Sequence, residues 1–247
     1  MAAMVTSLLY LGRIDYPTAL ALQQHLVELR HQQRVGDVLL LLEHPPVLTL
    51  GRNARRSNIL AGDEVLARRG VDIVETNRGG DVTYHGPGQL VGYPILDLRA
   101  ATPRMGAIDY VRKLEEVLIR TCAEFQLLTD RVPGRTGVWT RPGGSILEKK
   151  IAAIGVHISR GITSHGFAFN VTVDLADFGW IIPCGIDDRS VTSLDQETGV
   201  PVGQLQMENI ANRVARQFGR VFDTQILHLE KLDDLLHRAA EAQPAAV

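Results

Sequence analysis

Three kinds of hydrophobic pattern follow one another along the chain, and each predicts a different element. Ser7 to Leu11 reads as a short entry strand. Behind Pro17, which suits a helix N-terminus, Ala19, Leu22, Leu26 and Leu29 recur at helical spacing and predict a helix over 18–33. Asp37 to Leu42 is an unbroken apolar run of strand length, and Pro45-Pro46 interrupts it before Val47 to Leu50 resumes, so both read as buried strands. A polar loop carrying Arg52, Arg55 and Arg56 comes next, then a short helix around Asp63 to Arg69 that Gly70 ends.

From Val71 the pattern becomes strand and turn: Val71 to Thr76, a Gly79-Gly80 turn, Val82 to His85, the Gly86-Pro87-Gly88 turn, and Gln89 to Leu98. Ile108, Val111, Leu114, Leu118, Cys122 and Phe125 mark one apolar face of a helix over about 107–126. Ile151 to Ile158 and Phe167 to Val173 read as an antiparallel hairpin turning over Ser159 to Ser164, which sets position 150 opposite about 173. A third apolar run, Trp180 to Ile182, ends as a strand at Pro183. Ile210, Val214, Phe218 and Phe222 repeat at helical spacing, a weaker helix covers Glu230 to Ala240, and the tail from about 241 to 247 frays. Strands in hairpin blocks between helices predict an α/β (α+β) domain, with a mixed, largely antiparallel sheet flanked by helices, over a doubly wound parallel one. We find no repeat or linker, so residues 1–247 read as one domain.

Composition narrows the function classes. The 247 residues carry 26 Lys+Arg against 28 Asp+Glu, so no global field grips a polyanion, and neither nucleic acid nor a membrane surface is expected as a partner. No apolar stretch approaches the ~18 residues of a membrane span, and the N-terminus lacks the basic and apolar regions of a secretory signal. Two cysteines without a CxxC pair supply neither a disulfide framework nor a zinc ribbon, which points to a cytoplasmic setting. GxxxxGK[ST], strand-linked GxGxxG, HExxH and GxSxG are all absent from the sequence.

The segment Arg78-Gly79-Gly80-Asp81-Val82-Thr83-Tyr84-His85-Gly86-Pro87-Gly88-Gln89 crowds four glycines and several hydrogen-bonding side chains between strands. It reads either as a wall that brings backbone close to a ligand or as two tight turns. Cys184, between Pro183 and Gly185, sits where a thiol is lifted out of the core as a nucleophile, although unpaired cysteines are more often buried small hydrophobes. Cys122, on the helix stripe, takes the buried role. A thiol with a pKa near 8.5 needs a neighbouring cation or base, and the hairpin register places Lys150 at the sheet end from which the chain departs toward Cys184. The alternative for Lys150 is a solvated strand end. His157 falls near the polar turn and reads as surface, whereas His85 and His165 at loop ends either contact a ligand or satisfy turns.

Taken together, Arg78 to Gln89 with Leu90-Val91-Gly92-Tyr93-Pro94, Gly134-Arg135-Thr136-Gly137-Val138-Trp139, Lys150-Ile151-Ala152-Ala153-Ile154-Gly155, Gly166-Phe167-Ala168-Phe169-Asn170 and Pro183-Cys184-Gly185-Ile186 resemble the octanoyltransferases of lipoate biosynthesis, over roughly residues 8–225. The resemblance implies a fold similar to the biotin/lipoate protein ligases and an acyltransferase. It implies that Cys184 takes an octanoyl group from acyl carrier protein as a thioester and yields it to a lysine amine of a lipoyl domain, with Lys150 as catalytic partner. Acceptors would be the lipoyl domains of 2-oxoacid dehydrogenase complexes and the glycine cleavage H protein. Substrate contacts are implied for Arg78, Gly79, Gly80, Asp81, Val82, Thr83, Tyr84 and His85, for Ala153, Ile154 and Gly155, and for Gly166, Phe167 and Ala168. No cofactor, metal or ATP is expected, because a thioester donor is already activated, and the enzyme is expected to act as a monomer. Leu90, Val91, Ile154 and Phe167 are the expected lining of an acyl tunnel. Arg52, Arg55 and Arg56 either dock the acidic carrier or form a solvated loop. The rivals are an ATP-dependent lipoate or biotin ligase, which needs no thiol nucleophile, and an inert binding module on the same scaffold.

Overall fold

The computed structural model describes residues 4–101, 103–141, 148–182 and 190–241. Cys184, with Pro183, Gly185 and Ile186, lies outside the described residues, as does the tail beyond 241. The elements run β1 (Met4–Arg13), α1 (Tyr16–His31), β2 (Asp37–Glu43), β3 (Val47–Leu50), α2 (Asp63–Arg68), β4 (Asp72–Glu75), β5 (Val82–His85), β6 (Gln89–Ile95), α3 (Ala107–Ala123), β7 (Thr129–Val132) and β8 (Arg135–Thr140). They continue through β9 (Lys150–Ser159), β10 (Ile162–Asn170), α4 (Leu194–Thr198), α5 (Met207–Phe222), β11 (Thr224–His228) and α6 (Leu232–Glu241).

An eight-stranded sheet takes the order β11-β1-β2-β6-β10-β9-β8-β7, and a three-stranded sheet the order β4-β3-β5. Among the described residues, the strand pairs β11 with β1 and β1 with β2 of the large sheet are parallel and its other strand pairs are antiparallel. The unbroken apolar run of β2 has a direct cause, since both faces of this strand are covered. Leu39 and Leu41 join the core under α3 and α5, while Val38, Leu40 and Leu42 join the core under α1 and α6. Helix α1 starts where Asp15 accepts the Thr18 N–H at 2.9 Å with Pro17 in the first turn, and it ends before Gln33, whose φ is +57°.

Several expectations are corrected. The strands at 72–75 and 82–85 do not pair with each other; both flank β3. Chain direction then changes sheet at Gly86–Gly88, so β5 and β6 belong to different sheets. The buried face of α3 runs through Tyr110, Leu114, Val117, Leu118 and Cys122, while Ile108 is 77% exposed. The hairpin turn is the two residues Arg160 and Gly161, both at positive φ, so Ser159 pairs with Ile162 and His157 with Ser164. That register ends at Ala152 with Phe169, and Lys150 pairs instead with Trp139 of β8, a strand the apolar pattern did not predict. The run before residue 183 is a 3-10 helix, Leu175–Trp180, capped by Asp174, with Ile181 making one bridge to Ile59.

Candidate active site

The turn leading into β5 of the small sheet faces β9 and β10 of the large one, and a cleft of about 400 Å³ lies between them. Its walls are the turn from Arg78 to Asp81 with Val82, Thr83 and His85, the β9 stretch Ala153 to Val156, and the β10 stretch His165 to Ala168. Tyr16, Val91, Tyr93 and Val111 add surface from α1, β6 and α3, and the β7–β8 turn contributes Gly134 to Thr136. Lys150 lines the same cleft.

Backbone contact holds these walls together. Gly79 donates its N–H to Val156 O at 2.9 Å, tying the turn to β9. A Cβ on Gly155 would stand 2.8 Å from Gly79 O, so a side chain there would push the turn off the strand. A Cβ on Gly166 would stand 2.1 Å from Gly92 O, which explains the glycine where β10 crosses β6. Arg78 is only 7% exposed. Its guanidinium donates to Thr49 O at 2.6 Å, to Thr49 Oγ1 at 2.9 and 3.2 Å, and to Gly79 O at 3.1 Å, so it braces the turn against β3. Asp81 accepts the N–H of Val82 at 2.7 Å and of Arg55 at 3.3 Å, which closes the turn from its outer side.

Behind Tyr16 and Tyr93 of the cleft wall lies His44, its ring 5.0 and 5.9 Å from theirs. His44 must donate from Nδ1 to Ile14 O at 2.7 Å, which leaves Nε2 to accept from the Tyr93 hydroxyl at 2.8 Å. Burial pulls His85 down to about 3 and both His44 and His165 down to about 4, so all three rings are uncharged at pH 7. Burial also pushes the Tyr16 hydroxyl up to about 12. His165 is held by Asn77 at 2.7 Å from Nε2, and its Nδ1 is buried without a hydrogen-bond partner. His85 is the last residue of β5, at the edge of the Gly86–Gly88 turn as expected, whereas His165 lies inside β10 rather than at a loop end.

Lys150 is half-buried at the start of β9. Its Nζ stands 4.7 Å from the centroid of the Trp139 ring, a cation–π contact supplied by the neighbouring strand. Its backbone is gripped by the segment that follows residue 189: Lys150 N donates to Ser190 O at 3.0 Å and Thr192 N donates to Lys150 O at 2.9 Å. On the other side of the undescribed stretch, Ile182 N donates to Asn58 O at 2.8 Å. Cys122 is fully buried and its thiol is pushed up to about 12 by burial, which fits the core role expected for it.

Of the residues singled out from the sequence, Arg78 to Thr83, His85, Lys150, Ala153 to Gly155 and Gly166 to Ala168 share this cleft. Tyr84 does not: strand alternation turns it to the far side of β5, where it packs on Phe178 and Trp180 and donates to Asp177 at 2.6 Å. Leu90 likewise faces the α3–α5 core, while Val91, Ile154 and Phe167 line the cleft. Tyr93 was legible from the same alternation, being two residues from Val91. Tyr16 and Val111 had no local signal, because they reach the cleft only through helix packing. Arg52, Arg55 and Arg56 are exposed; Arg52 N donates to Arg78 O at 3.0 Å, so their loop flanks the turn, and Arg56 pairs with Asp63. Among the described residues, no group of three or more His, Cys, Asp or Glu side chains is placed to hold a metal, and no helix is long and apolar enough to cross a membrane.

The family described as lipoyl protein ligase A/B catalytic domain matches residues 15–219. The octanoyltransferase of Acidobacterium capsulatum is 65% identical over 242 residues, covering 96% of this chain and 98% of its own. The chain belongs to the octanoyltransferases of this family. The octanoyltransferase of Caldicellulosiruptor bescii is a more distant relative, 46% identical over 237 residues, with 94% of this chain and 99% of its own covered. A lipoate-protein ligase A bound with ATP superposes with a TM-score of 0.71 over 96% of this chain and 94% of its own, at 16% identity. This chain therefore shares its fold with that ligase. As a family member the chain is a transferase enzyme, and its fold is the mixed, mainly antiparallel sheet flanked by helices that the hairpin pattern predicts.

Proposed function

We propose that this enzyme transfers an octanoyl group from octanoyl-acyl carrier protein to the lysine amine of a lipoyl domain, through a thioester on Cys184 and without ATP. The observation that carries the reading is the convergence of Lys150 with the wall of Arg78 to Thr83 and His85 on one cleft that is apolar at Val91, Ile154 and Phe167. Each methylene buried there contributes up to ~0.8 kcal/mol, enough for a closed cleft to select chain length.

In the first step the Cys184 thiolate, with its proton on Lys150, attacks the thioester carbonyl. The bond from that carbonyl to the carrier sulfur breaks, and Lys150 returns its proton to the leaving thiolate. In the second step the acceptor amine attacks the Cys184 thioester, neutral Lys150 takes the amine proton, and Cys184 leaves as thiolate. The enzyme thus ends in its starting protonation state. The Trp139 ring stands beside Nζ and gives the side chain a fixed place at the cleft. The exposed loop of Arg52, Arg55 and Arg56 beside the Arg78 turn suits an acidic carrier arriving at the cleft.

The test is transfer to a purified lipoyl domain from octanoyl-acyl carrier protein, followed by mass gain of the acceptor, with and without ATP. The expected result is ATP-independent transfer that Lys150→Met lowers by about 10² to 10⁴ fold. Transfer only from free octanoate plus ATP would replace this reading by that of a ligase.

A further inference from the structure

Buried polar side chains persist where each finds a partner, and a row of them here runs from the cleft wall to the backbone of Lys150. Thr49, His85, Gln89, Asn170 and Thr192 sit in β3, β5, β6, β10 and the segment before α4, and all are at most 6% exposed. The direction of every bond follows from the far end. The Thr192 carbonyl can only accept, so Asn170 presents Nδ2 to it, at 2.9 Å. Asn170 Oδ1 is then the acceptor facing Gln89, whose Nε2 donates to it at 2.9 Å and to Tyr84 O at 3.3 Å. Gln89 Oε1 is left facing His85 Nδ1 at 2.7 Å, so Nδ1 carries the ring proton. His85 Nε2 is consequently the acceptor toward Thr49 Oγ1 at 3.4 Å, a hydroxyl whose lone pairs take the Arg78 guanidinium.

We propose that Gln89 and Asn170 are positioning residues that hold His85 in its Nδ1–H tautomer and fix the Lys150 end of β9 relative to the cleft. Reversing any one amide would set two donors or two acceptors face to face, so the row has one consistent state. Its last member also grips Lys150 directly, because Thr192 N donates to Lys150 O while Lys150 N donates to Ser190 O. Asn170 thus ties a group on the cleft wall to the strand carrying the reacting lysine, without touching substrate itself. The part concerning Lys150 rests on the proton-transfer role given to it above; the tautomer does not.

The test combines long-range ¹H–¹⁵N spectra of the histidine rings with steady-state kinetics. Wild type is expected to show His85, assigned by its loss in His85→Gln, as the neutral Nδ1–H tautomer at pH 7. Asn170→Asp and Gln89→Glu each remove one donor from the row without changing shape. Each is expected to disturb the His85 signature and to lower kcat at least tenfold, with KM for octanoyl-acyl carrier protein within about twofold. The double variant should cost no more than the worse single one, since both break the same row. A wild-type His85 protonated on Nε2 would overturn the proposal whatever the variants do. So would a folded Asn170→Asp enzyme with wild-type kcat, or a loss seen equally in kcat and KM. If Lys150→Met transfers at the wild-type rate, the role of Lys150 falls and takes with it the claim about the Lys150 end of β9, while the His85 tautomer is still decided by its own signal.

Discussion

Single residues in this cleft are used according to the face they occupy, and Tyr84 beside His85 makes the point. The two are adjacent in β5, yet His85 lines the cleft and Tyr84 stands in the core beneath the small sheet with its hydroxyl on Asp177. Tyr84→Phe is therefore expected to lose one hydrogen bond, about 1 kcal/mol of stability, with kcat unchanged. Thermal unfolding alongside a transfer assay checks this, and a fall in kcat without a fall in stability would place Tyr84 in the chemistry. Gly155 shows the opposite sensitivity. A methyl group there meets the Gly79 carbonyl, so Gly155→Ala is expected to weaken octanoyl binding at least tenfold, read as a rise in KM. The sequence marked both positions by the same resemblance; what it left out was the side of the strand, and strict alternation from His85 would have supplied it.

At the scale of elements, the strongly periodic segments were legible and the weakly patterned ones were not. α5 shows Ile210, Val214, Phe218 and Phe222 all buried, as its spacing requires. α3 was found with its face rotated: Tyr110 is the buried start of the stripe and Ile108 points to solvent. Ile108→Asp is accordingly expected to change stability by less than ~0.5 kcal/mol, whereas Tyr110→Ala costs about 3 to 5 kcal/mol, both measured by denaturant unfolding. β7 and β8 escaped the pattern because Thr129–Val132 is mostly polar and half-exposed, and because β8 takes its shape from pairing with β9. The same oversight moved Lys150 toward the wrong partner. Register counted from an assumed six-residue turn is two positions out, since Arg160 and Gly161 alone make the turn. Local signals thus placed the cleft walls, while the lysine's true neighbours, Trp139 and the Ser190–Thr192 segment, depend on tertiary pairing that no local window contains.

Across the whole molecule, three buried neutral histidines link stability to pH. His44, His85 and His165 titrate at about 4, 3 and 4 when folded, below their ordinary value of 6.5. Between those values and about 6.5 the unfolded chain binds protons that the folded chain refuses, so stability is full above pH 6.5 and falls as pH drops toward 4. Unfolding near pH 5 is expected to take up roughly two to three protons, with His165→Gln reducing that number by about one. Thermal unfolding from pH 7.5 to 4.5 at constant ionic strength checks it, and a flat profile would contradict the burial of these rings. The central claim, however, concerns chemistry at the cleft that Lys150 enters. Its most direct test is intact-protein mass spectrometry after incubation with octanoyl-acyl carrier protein in the absence of ATP, on wild type, Cys122→Ser and Cys184→Ser. Wild type is expected to gain one octanoyl group that hydroxylamine removes, and the gain persists in Cys122→Ser and is absent in Cys184→Ser. An octanoyl adduct that survives in Cys184→Ser, or a Cys184→Ser enzyme that still octanoylates a lipoyl domain, would contradict it.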